Sequence, residues 1–286
     1  MEVTAVVNGL HEVAAGVSAR PRPDQPLDDY ACRTPEELLR ILRTMLVSRR
    51  LEFEEKLLLR RGHNKFFIGA GGKELADAVL ADCSRDNDPW LGYYRNKAFE
   101  IHRGSTIREK LMEALGDARV ANNGQLQAHA GYPERSIVPQ ISVTGAHALE
   151  AAAIAEALKH PVPVSEQSWQ PGGTWPEDAV VMCCMGDGAT SEAEFNRAVF
   201  NAVHLKSPVL FAIYNCGWAI SVCSEEQFIA GDLTVPLKGF TEHGLKVIDT
   251  DGTDIKALIP AVEEALEYAR THSLPVLMNI KVTREN

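Results

Sequence analysis

Asp187 stands between Gly186 and Gly188, directly after the apolar run AVVMCCM. Asn215 lies 28 positions further on, directly after a second apolar run, PVLFAIY. A helix near 191–204 between two such strands sets the carboxylate and the amide side by side at neighbouring strand ends. Ligands of parallel α/β sheets sit there. Ser191 and Glu194 read as a capping box, so a helix starts just beyond Gly188 and its free amides favour an anion. Two readings are open. The glycines allow tight turns and Asp187 caps a helix, or the carboxylate and the amide oxygen are hard ligands for Mg²⁺ bridging a diphosphate. Cys216 sits in the middle of this site, and thiol sulfur is a poor ligand for a hard cation.

The elements that must position these residues alternate along the chain. Residues 1–33 read as an irregular tail, with the Pro- and charge-rich ARPRPDQPLDD near its end. A long helix begins at TPEELLRILRTM, with Thr34 as N-cap, Pro35 at the first position and Glu37 completing a capping box. Leu38, Leu39, Leu42, Met45 and Leu46 recur at helical spacing, and Gly62 marks the stop. Glu52, Glu54 and Glu55, among Arg49, Arg50, Lys56, Arg60 and Arg61, are expected to form a solvated face. KELADAVLA, NKAFEIHRG and the Ala-rich GAHALEAAAIAEALK read as further helices, and 161–176 as a Pro/Gly loop. The helix from Thr34 and the Ala-rich helix from Gly145 are expected to offer apolar faces to other subunits. Strands are expected at AVVMCCM, PVLFAIY, LKVIDT and PVLMNIKV, with a helix near 254–270. Near-continuous apolar strands alternating with helices predict an α/β fold, a mostly parallel sheet with helices on both faces.

Composition narrows the classes of function. The chain has 286 residues, 45% of them hydrophobic, with a net charge of -10 and a pI of about 5.4. An acidic chain of this kind is not expected to bind nucleic acid or an anionic membrane, although a local basic pocket remains open. No apolar run approaches the roughly 20 residues of a membrane helix. The N-terminus lacks the pattern of a signal peptide. Six cysteines without a CxxC pair read as reduced, cytoplasmic thiols rather than a disulfide framework or zinc cluster.

Several separated blocks carry a resemblance over residues 34–286. GDGATSEAEFNRAVFNA…KSPVLFAIYNCGWAIS resembles the thiamine diphosphate motif as it stands in the alpha subunits of branched-chain 2-oxo acid and pyruvate dehydrogenase first components. GYYRNKAFEIHRG, QISVTGAHALEAA and FFIGAGGKELA resemble further blocks of that family. The resemblance implies a thiamine diphosphate-binding fold and a domain over 34–286. It implies oxidative decarboxylation of a 2-oxo acid with acyl transfer to a lipoyl group. The implied partners are a beta subunit and a lipoyl-bearing acyltransferase, in a homodimer or heterotetramer.

Cofactor contacts are implied for Tyr94, Arg95, Ser142, Thr144, Gly186, Gly188 and Ala189. Metal contacts are implied for Asp187, Asn215 and Trp218. Glu74 is implied on the substrate side, with an exposed helix-start carboxylate as the alternative. His147 is implied to be catalytic, with a structural hydrogen bond as the alternative. His102 and His129 match no motif. The sequence departs from the family at Cys216, where a second Asn is usual. A histidine-bearing loop would also follow the last strand, and the sequence given ends at VTREN. These departures keep a non-catalytic relative acting as subunit or scaffold open, and another thiamine enzyme of the same fold, such as an acetoin dehydrogenase, is a further alternative.

Overall fold

The computed structural model describes residues 30–31, 33–64, 66–125, 130–140, 142–160 and 175–285. The first helix, α1 (Pro35–Arg60), begins at the expected capping box: the Thr34 side chain accepts from the Glu37 amide at 3.2 Å and Glu37 reaches back. Helix α2 (Glu74–Cys83) packs between α1 and the sheet, beside α3 (Lys97–His102). Helix α4 (Ile107–Leu115) follows, and then α5 (His147–Leu158).

The sheet is built from β1 (Trp90–Leu91), β2 (Val181–Gly186), β3 (Val209–Asn215), β6 (Lys246–Asp251) and β7 (Val276–Lys281). Its order is β1-β2-β3-β7-β6, and every pairing is parallel. Helices α6 (Ala193–Leu205) and α9 (Ile255–His272) make the crossovers from β2 to β3 and from β6 to β7. A short antiparallel hairpin, β4 (Trp218–Ala219) with β5 (Val222–Cys223), leaves the end of β3, and the short helices α7 (Ser224–Gln227) and α8 (Lys238–Thr241) follow it.

Side chains alternate across a strand, so each strand feeds two cores. Met182, Cys184, Leu210, Ala212 and Tyr214 face α2 and α9. Val181, Cys183, Phe211 and Ile213 face α5 and α6. Both faces are covered, as the apolar strands predict. Gly186 pairs with Tyr214, so the chain leaves β2 and β3 at the same level and the Asp187 and Asn215 positions adjoin, as the sequence predicts.

The structure revises three local expectations. Ser191 and Glu194 form no capping box. Residues Asp187–Ser191 make a tight 3₁₀ turn closed by Thr190 Oγ1 donating to the Asp187 carbonyl at 2.7 Å. The helix then begins at Ala193, and Ser191 Oγ instead accepts from Gln227 at 2.8 Å. Glu52 and Glu55 are not solvated. They belong to the inward stripe of α1 and pair with Lys56 and Lys97. Glu52 also accepts from the Ala70 amide at 2.9 Å. The Ala-rich helix offers no broad apolar face outward, because Ala148, Ala151, Ala152 and Ala155 pack in the core. By contrast α1 does expose one: Leu39, Leu42, Leu46, Phe53 and Leu57 lie in water.

Candidate functional site

Asp187 follows directly from the apolar strand β2, and the 3₁₀ turn buries it to 2% exposure. Its Oδ2 accepts from the Trp218 amide at 3.1 Å, which hangs the loop after β3 on the end of β2. Burial pushes its carboxyl above the usual range, opposed by the amides of Gly188, Gly217 and Trp218. Gly188 is needed because a Cβ there would stand 2.8 Å from the Ala219 Cβ. Gly217 has φ +77°, which a side chain disfavours.

The sequence pairs Asp187 with Asn215, but the structure pairs it with Cys216. Cys216 Sγ lies 3.8 Å from Asp187 Oδ1 and 3.4 Å from the Trp218 carbonyl oxygen. Asn215 is turned the other way. Its Nδ2 donates to Asn279 on β7 at 3.0 Å, and its Oδ1 accepts from the Gly217 amide at 3.0 Å. The reason is strand alternation: consecutive residues leave a strand on opposite sides, so only one of the pair can face Asp187.

Around this centre is a cavity of about 490 Å³ at the carboxyl ends of the first three strands. Tyr94 and Arg95 reach it from the turn after β1. That turn is held from α2: Asn96 Nδ2 donates to buried Asp77 at 2.6 Å, and Asn96 Oδ1 accepts from the Tyr93 amide at 2.9 Å. Arg95 donates to the Gly69 carbonyl and lies over the Tyr94 ring. Ser142 and Thr144 line the mouth, exposed, just before α5. Gly186, Gly188, Ala189 and Trp218 complete the wall next to Asp187.

His147 lines the cavity too, but its Nε2 lies 2.9 Å from the Cys184 carbonyl. A carbonyl only accepts, so that nitrogen carries the proton and is committed to the β2 backbone. Glu74 does not line the cavity. It is buried, with Oε1 accepting from Arg49 Nε at 2.6 Å and Oε2 from the Gly72 amide at 2.8 Å, so it neutralises an arginine and closes the glycine-rich turn. His102 is buried between Thr44 and Asp82, away from the site, and His129 lies outside the described residues.

Sequence reasoning passed over Lys73, Gln140 and Arg284, which also line the cavity. Lys73 is the residue before Glu74 in the glycine-rich turn, and a lysine at a helix start is the signal it offered. Gln140 Nε2 and Tyr93 Oη are buried at the cavity without a hydrogen-bond partner among the described residues. Orphaned donors on the floor of a cavity fit a polar ligand that would satisfy them. Two cations beside them, Lys73 and Arg95, fit an anionic one.

This parallel α/β fold resembles that of solved transketolases. The Campylobacter jejuni enzyme matches with a TM-score of 0.54 and 14% identity, over 84% of this chain and 37% of that one. That of Leishmania mexicana matches with a TM-score of 0.53 and 16% identity, over 84% and 36%. The thiamine diphosphate-binding fold expected from the sequence is therefore borne out. The chain belongs to the family "Dehydrogenase E1 component", whose profile matches residues 42–286. Among curated relatives, the 2-oxoisovalerate dehydrogenase subunit alpha of Bacillus subtilis is 29% identical over 249 residues, 86% of this chain and 70% of its own length. Subunit alpha 1 of the mitochondrial Arabidopsis thaliana enzyme is 28% identical over 226 residues, 79% of this chain and 44% of that one. The 3-methyl-2-oxobutanoate dehydrogenase subunit alpha of Mycobacterium tuberculosis is 29% identical over 248 residues, 85% and 60%. The chain thus spans about half the length of several curated relatives it matches.

Proposed function

We propose that this chain is the alpha subunit of a thiamine diphosphate-dependent 2-oxo acid dehydrogenase. It would decarboxylate a 2-oxo acid oxidatively and pass the acyl group to a lipoyl disulfide. The observation that carries the proposal is the cavity itself: Asp187, Trp218, Arg95 and the glycines of the β2 turn meet at one sheet end. A cavity of this size suits a cofactor-sized ligand. Family membership and the named alpha-subunit relatives support the same reading.

When bound, thiamine diphosphate supplies the electron sink that lets carbon dioxide leave a 2-oxo acid. The chain's own residues bind and orient it. Lys73 and Arg95 would take the diphosphate charge, with Arg95 offering a planar fork of donors. Gly186 and Gly188 let the ligand approach the β2 backbone closely. Ser142 and Thr144 would face the ring end. For Mg²⁺, the donor set is thin. Asp187 and the Trp218 carbonyl are hard oxygens, but Cys216 presents sulfur and Asn215 faces away. Mg²⁺ favours octahedral oxygen, and these residues do not supply it.

A beta subunit and a lipoyl-bearing acyltransferase are the partners this reading requires, in a heterotetramer. The water-exposed leucine stripe of α1 supports a subunit contact. A cytoplasmic setting is in keeping with the five described cysteines, all free, although relatives named mitochondrial exist. Among the described residues no helix is long and apolar enough to cross a membrane.

Calorimetric titration with thiamine diphosphate and with unphosphorylated thiamine tests the site. Charge-assisted contacts contribute roughly 1.5–3 kcal/mol, so Arg95→Ala should weaken thiamine diphosphate by about 10–100-fold. Thiamine should be indifferent to the change. Equal losses for both would assign Arg95 to packing. Carbon dioxide release from branched and linear 2-oxo acids, by the chain with its beta partner, tests the activity; no release from any would overturn it.

A further inference from the structure

Lys73 is the N-cap residue of α2 and is 95% buried, with 5% of its surface exposed. It lines the cavity, and while its backbone bonds Ala70 and Asp77, no hydrogen bond or ion pair joins its ammonium to a described residue. Its position is costly in three ways. A buried charge without a partner is penalised. A cation at a helix N-terminus opposes the helix dipole. A second cation, Arg95, lies close by and repels it. Burial first, and then Arg95, hold the ammonium below its ordinary range, with Cys216, Asp77 and Glu74 opposing. None of the three neutralises it. Glu74 is taken by Arg49, and Asp77 is bound by Asn96.

The acidic side of the cavity lacks what a divalent ion needs. Cys216 fills the place opposite Asp187, and no three His, Cys, Asp or Glu side chains gather for a metal among the described residues. The cavity therefore has a surplus of fixed cation on one side and a deficient metal site on the other. One ligand chemistry answers both, a diphosphate whose charge is met by the chain itself.

We infer that Lys73 takes the place of the divalent metal in this site, so that thiamine diphosphate binds this chain without Mg²⁺. The inference rests on the proposed function, since it assumes that cofactor. An ammonium has three donors and one positive charge, and with Arg95 it matches a diphosphate without a metal bridge.

The test titrates thiamine diphosphate into the full chain, in whatever assembly it purifies in, with Mg²⁺ and with a chelator. Wild-type affinity should agree between the two within about twofold. Lys73→Gln should weaken binding by about tenfold or more in the chelator. The same variant should raise the thermal stability of the ligand-free chain, because it removes an unpaired buried charge. A merely structural lysine would do the opposite. Cys216→Asn in the Lys73→Gln background should restore binding only when Mg²⁺ is present. Loss of wild-type affinity by about tenfold or more in the chelator overturns the inference and leaves the proposed function standing. A destabilised Lys73→Gln with unchanged affinity also overturns it. No binding of thiamine diphosphate under any condition overturns both.

Discussion

Asp77 shows how much one buried residue decides. It lies wholly within the core on α2, and burial raises its carboxyl to about 7. The Asn96 amide needs only an oxygen to donate to, so the protonated acid serves. The folded state then keeps a proton that the unfolded chain gives up near pH 4. Stability from this group is full below that pH and falls as pH rises through about 7. Asp77→Asn keeps the oxygen and cannot ionise. The variant should lose less stability than wild type between pH 5 and 8, by on the order of a few kcal/mol. Urea unfolding at both pH values checks this, and parallel curves would place the titration elsewhere.

At the scale of elements, the β4–β5 hairpin is carried by the loop hung from Asp187 and pressed against Gly188. Gly188→Ala should push Ala219 away and lower affinity for thiamine diphosphate by about tenfold, while melting changes little, because a two-residue hairpin holds little core. Adding Ala219→Gly should recover the affinity. Failure of that rescue would assign Gly188 to backbone conformation instead. The capping box of α1, the parallel strands and the adjoining strand ends were legible in the sequence, because hydrophobic period and capping chemistry are local. The roles of Asn215 and Cys216 were not. They depend on which side of β3 each leaves, set by the last residue paired to β2, and spacing alone does not reveal that. Glu74 and the glutamates of α1 misled for a related reason: their partners Arg49, Lys56 and Lys97 show only once the helices pack. Lys73 was hidden because a charged residue at a helix start looks solvated until the fold closes over it.

At the scale of the whole molecule, α1 has one stripe inside and another in water. Leu39, Leu42 and Leu46 continue to Phe53 and Leu57 on the outer side, a face that a second subunit would cover. Leu42→Glu with Leu46→Glu should shift the chain to a smaller species in light scattering while its circular dichroism stays unchanged. An unaltered mass would place the contact elsewhere. The gathering of Lys73, Arg95 and Arg284 at one cavity, on a chain of net charge -10, has a kinetic consequence. From a distance an anionic ligand meets repulsion; near the mouth it meets attraction. Ions of the medium damp the distant field first, since the Debye length shrinks to about 10 Å at 0.1 M. Association of thiamine diphosphate, followed by stopped flow, should therefore quicken as salt is raised from low concentration towards 0.1 M. That is the reverse of the usual behaviour of oppositely charged partners, and the buried contacts should hold dissociation nearly constant.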